Sequence, residues 1–84
     1  PLNITAANNR SIALLYTCNL TKAVEALEES IRVDPVQMLD ESIVLNLTVL
    51  YDLESDQSVQ KKQLLFLMIQ KYKGDNFPMS ALKL

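Results

Sequence analysis

The stretch Leu20–Pro35, LTKAVEALEESIRVDP, narrows the possible folds more than any other part of the chain. Its apolar residues Leu20, Ala23, Val24, Leu27 and Ile31 recur every three or four positions, which lines one face of a helix. Glu25, Glu28 and Glu29 fall on the opposite, wet face. Pro35 cannot continue a helix, and it pushes Asp34 out of helical geometry. The small Ala23 lets a neighbouring helix come close, and Leu27, one turn on, fills the space beside it. The segment therefore reads as an interlocking helix in a helical stack, ended so that the chain can turn.

Three more helices follow from the same periodicity. The first spans about 3–17, with Ile4, Ala7, Ser11, Leu14 and Cys18 in one stripe and Ile12, Leu15 and Tyr16 beside it. The break at Cys18-Asn19 is short; Cys18 is expected to be a small buried residue there, and Asn19 to cap the next helix or take a left-handed conformation. The third helix spans about 39–53. It can begin at Asp34-Pro35, with Asp34 as cap, or at Asp40-Glu41, where acids suit a helix N-terminus. Its two apolar stripes, Ile43, Leu47, Leu50 and Tyr51 on one side and Leu45, Val49 and Leu53 on the other, predict burial on both sides. Residues 54–57 read as a polar turn. The fourth helix spans about 58–73, with 64–69 as its buried centre, Lys71 and Lys73 at its negative end and Gly74 as C-cap. The tail carries Phe77, Met79, Leu82 and Leu84. No strand pattern emerges, so the fold class is all-α: about four antiparallel helices plus a short C-terminal capping segment.

Composition bounds the function. With 84 residues, 49% of them hydrophobic and one glycine, the chain is a single folded domain of modest core. The net charge of -2 argues against nucleic acid, which calls for a basic face. Charge is segregated: nine acids and one base, Arg32, lie between Glu25 and Asp56, and five lysines against Asp75 lie beyond. Differently solvated faces, or a complementary docking surface, would account for this. The chain has no histidine and one cysteine, so the commonest general base, a disulfide and a cysteine metal site are all missing. Asp52, Glu54 and Asp56 lack the glycine and the bidentate glutamate of a calcium loop, and a single glycine makes no phosphate-binding loop. No cofactor, no small-molecule substrate and no enzymatic activity are expected. No apolar run approaches the ~18 residues of a membrane span, and no signal peptide is read. Sequons at Asn3, Asn9, Asn19 and Asn46 are read as chance occurrences in a cytoplasmic protein. A start at Pro1 rather than Met reads as a piece cut from a longer chain.

Two hairpins of this size, with a small residue, a large one a turn later and a terminal proline, resemble the tetratricopeptide repeat. Ala23, Leu27 and Pro35 match the second helix of a repeat, and Asn46-Leu47-Thr48-x-x-Tyr51 resembles the core of a first helix. Cys18 stands where glycine is usual, Thr48 replaces Gly or Ala, and Gln60 stands where a small residue is expected. The predicted organisation is hairpin 1 over about 3–34, hairpin 2 over about 38–73 and a capping tail over 74–84, the end of a longer array.

A closer resemblance rests on DESIVLNLTVLYDLESDQSVQKKQLL (40–65), KGDNF (73–77) and ALKL (81–84). Its elements are Glu41-Ser42, Asn46-Leu47-Thr48, Tyr51-Asp52-Leu53-Glu54-Ser55, Gln60-Lys61-Lys62-Gln63, Gly74-Asp75-x-Phe77 and Leu82-Lys83-Leu84, with upstream agreement at Leu14-Leu15-Tyr16, Leu20 and Asp34-Pro35. In these the chain resembles the C-terminal end of the trafficking protein particle (TRAPP) complex subunit 12 family. The resemblance implies a non-catalytic scaffold in a cytoplasmic tethering complex peripheral to the ER-Golgi intermediate compartment and Golgi membranes. That complex acts as a Rab-GTPase exchange factor in ER-to-Golgi and autophagy traffic, its exchange chemistry residing in other, small subunits. Other TRAPP subunits are the implied partners, with no nucleic acid and no membrane insertion.

Tetratricopeptide arrays bind partners along the groove lined by the first helix of each hairpin. The candidate groove residues are Asn8, Ile12 and Leu15, and Ser42, Leu45 and Val49. A chaperone-tail clamp requires a lysine and two asparagines. Asn46 matches one asparagine, Ile12 replaces the other, and Asn8 replaces the lysine. The groove is therefore apolar and suits a hydrophobic partner helix or a neighbouring repeat. A peptide-binding module of a chaperone cofactor or other scaffold is the alternative, and a regulatory domain of a larger enzyme a third.

Overall fold

In a computed structural model, which describes residues 3–54 and 56–82, Asn3 caps the first helix by accepting a hydrogen bond from the Ala6 N–H at 2.7 Å. Five α-helices follow: α1 (Ile4–Tyr16), α2 (Leu20–Val33), the single turn α3 (Pro35–Met38), α4 (Glu41–Glu54) and α5 (Ser58–Tyr72). Two 3₁₀ turns, Gly74–Asn76 and Met79–Leu82, complete the described chain. The fold is all-α, as expected. Ser55 in the expected turn, and Lys83 and Leu84 in the expected tail, lie outside the described residues.

Helix α2 is the centre of the packing and touches α1, α3 and α4; α4 in turn touches α1, α5 and the second 3₁₀ turn. The molecule measures 36 × 33 × 18 Å, a slab two helices thick. One core cluster runs through it. Ala23, Leu27, Met38, Leu39, Ile43, Val44, Leu47, Ile69 and Leu82 are fully buried. In the tail, Phe77 and Ala81 are also buried, and Thr48 Oγ1, inside α4, lies 2.8 Å from Leu45 O and 3.3 Å from Ala81 O.

Both possible starts of the third helix are used. Asp34 accepts from the Gln37 N–H at 3.2 Å and Pro35 opens α3, which stops after one turn. The chain then restarts at α4, where Asp40 accepts from the Ser42 N–H at 2.9 Å. This kink turns Met38 and Leu39 into the core.

Three expectations are corrected. Cys18 is exposed, and it is Cys18, not Asn19, that adopts the left-handed conformation, at φ +60°. The Asn19 N–H bonds Leu14 O at 3.0 Å and the Cys18 N–H bonds Leu15 O at 2.9 Å, the bond pair of a Schellman motif with Cys18 in the place glycine prefers. Asn19 makes no side-chain cap. In α4 the second stripe is not buried: Leu45 is half-buried, while Val49 and Leu53 are 41% and 62% exposed. In α5 the buried side is Lys62, Leu65 and Ile69, whereas Leu64 and Leu67 point to solvent.

The Cys18 geometry yields a stability prediction. A side chain in the left-handed region costs roughly 1–2 kcal/mol, and glycine returns about 0.5–1 kcal/mol of that through its greater unfolded-state freedom. Cys18→Gly is expected to stabilise the domain by about 0.5–1 kcal/mol in urea unfolding. Unchanged or lower stability would show that the turn is not held in this conformation.

Candidate functional site

The candidate groove is built where α1 and α4 lie side by side. At one end the two helices are tied by a run of polar groups that starts at the Asp40 carboxylate. Asp40 Oδ2 accepts from Ser42 Oγ at 2.6 Å, and Ser42 Oγ accepts from Asn8 Nδ2 at 3.1 Å. Asn8 Oδ1 accepts from Asn46 Nδ2 at 2.9 Å. The hydroxyl of Ser42 holds the Asp40 carboxyl below its usual range, with the Ser42 and Ile43 backbone N–H groups and the charge of Lys73 acting the same way. Beyond Asn46 the groove becomes apolar. Ser11, Ile12, Leu15, Asn46, Val49 and Leu50 line a shallow cleft of about 120 Å³, and none of the six is charged.

The structure thus brings Asn8 and Ser42 together by a hydrogen bond, and gathers Ile12, Leu15 and Val49 around one depression. Leu45 stands apart: it is half-buried and packs against the core. Asn46, matched in the sequence to a clamp asparagine, lines the cleft, and Ser11 is a cleft residue that groove register did not select.

A second polar cluster sits on the other side of α4. Tyr51 OH donates to Glu28 Oε2 at 2.7 Å and joins α4 to α2. Lys61 Nζ lies 5.3 Å from the centre of the Tyr51 ring and 2.9 Å from Glu54 Oε1. Lys62, itself buried, pairs with Asp52 at 2.9 Å, and Ser58 Oγ also donates to Asp52. Part of the charge segregation seen in the sequence is therefore used inside the molecule, where acids ending α4 hold lysines opening α5.

Burial pushes the Tyr51 phenol well above its ordinary value, and the Glu28 carboxylate adds to the effect. An unfolded tyrosine loses its proton near pH ~10, while the folded one keeps it. The bond's contribution is thus intact below about pH 10 and declines as pH rises beyond that value. Tyr51→Phe is expected to cost about 1–2 kcal/mol near neutral pH and to flatten the alkaline loss of stability in urea titrations run at rising pH. Parallel alkaline slopes in parent and variant would show that the Tyr51 proton is not coupled to folding.

Among the described residues no three acidic or thiol side chains converge as a metal site requires, and no helix is long and apolar enough to cross a membrane.

Comparison with known proteins adds a direct likeness. The whole chain is 42% identical to trafficking protein particle complex subunit 12 of mouse, and 42% identical to the same subunit of human. The likeness to the TRAPP subunit 12 family, read first from the sequence, holds along the entire chain. The chain spans about 10% of the length of the mouse subunit and 11% of the human one, consistent with a C-terminal piece of such a subunit. No family profile matches the chain, and no solved structure is similar to it.

Proposed function

We propose that this chain is a non-catalytic, protein-docking part of a TRAPP vesicle-tethering complex. The observation that carries the reading is end-to-end identity of 42% to subunit 12 of that complex. On this reading it works in the cytoplasm at ER-Golgi intermediate and Golgi membranes, beside other TRAPP subunits. The Rab exchange chemistry belongs to those other subunits. We read α1–α2 and α4–α5 as two tetratricopeptide-like hairpins, with the tail closing the stack. The placement of α2 against both α1 and α4 supports this, since the second helix of a repeat packs on its own first helix and on the next one.

The groove between α1 and α4 is the docking face on this reading. Its exposed apolar residues and lack of charge suit an apolar partner segment. The same features disfavour a chaperone-tail clamp, which captures a carboxylate with basic side chains.

The test is affinity capture of the full-length subunit from cells, comparing the parent with a Leu15→Asp/Val49→Asp form. These residues are 38% and 41% exposed, so the core keeps its packing. The expected result is loss of other complex subunits from the variant capture, with circular dichroism of the two proteins unchanged. Equal recovery would remove this groove as the docking face, and capture of chaperones in place of complex subunits would replace the reading altogether.

A further inference from the structure

We draw no further inference here: the strongest candidate, the open cleft between α2 and α5 floored by Ile31, Leu65 and Met68 with Arg32 and Lys61 at its rim, is an unpartnered apolar face, and nothing in the structure shows what covers it.

Discussion

Leu27→Ala is expected to remove about 2–5 kcal/mol of stability, the largest effect of any single substitution considered for this chain. Leu27 is fully buried on α2, the helix that contacts α1, α3 and α4 together. Truncation there removes apolar surface from the common core and leaves a cavity that three elements would have to move to fill. Domains of this size are stable by only about 4–13 kcal/mol, at roughly 0.05–0.15 kcal/mol per residue, so the loss is a large share of the total. Urea unfolding followed by circular dichroism measures it. The denaturation midpoint should fall sharply with the slope preserved. A loss under ~1 kcal/mol would place Leu27 outside the core, or show a site that collapses freely.

The α2 segment was legible because one helix face, a small residue and a terminal proline all carry local chemistry. Asp34-Pro35 signalled both an end and a start for the same reason: proline's missing N–H suits a first turn as well as a stop. Periodicity alone could not say which apolar stripe of α4 is covered. Both stripes have helical spacing, but it is Ile43, Leu47, Leu50 and Tyr51 that are buried, in a helix that touches α2, α5 and the tail. The other leaves Val49 exposed, and of that stripe Val49 alone lines the candidate groove, with Ile12 and Leu15 of α1. In α5 the run 64–69 is continuously apolar, so the buried face had no contrast to mark it; Leu65 and Ile69 turn inward and Leu64 and Leu67 outward. The buried Lys62 was illegible for a different reason. Its place depends on Asp52, ten residues earlier, and only the α4–α5 turn brings the two together. Of the groove residues, Asn8 and Ser42 were selected by register; the hydrogen bond between them joins positions 34 apart and appears only in three dimensions.

Ala23→Leu tests the helix pairing itself. Ala23 has no exposed surface, and its carbonyl oxygen accepts a hydrogen bond from Ser11 Oγ of α1 at 3.2 Å. A side chain of one helix can bond the backbone of another only where the two run close, and here both positions are small. Three added carbons at Ala23 have no space between the backbones. Overpacking of this kind costs about 1–3 kcal/mol, and each kcal/mol lowers Tm by about 4–8 °C in a domain of 60–100 residues. Helix propensity does not confuse the result, since alanine and leucine rank next to each other. Ala26 is the internal control. It is on the same helix and 7% exposed, but it lines an open cleft with Arg10, Leu14 and Lys22, where a leucine has room. A clear drop in Tm at Ala23 and little change at Ala26 is the expected pair of results. Equal tolerance at both positions would mean that α1 and α2 do not meet through Ser11 and Ala23, and the small-to-large spacing from which the helical stack was read would lose its physical basis.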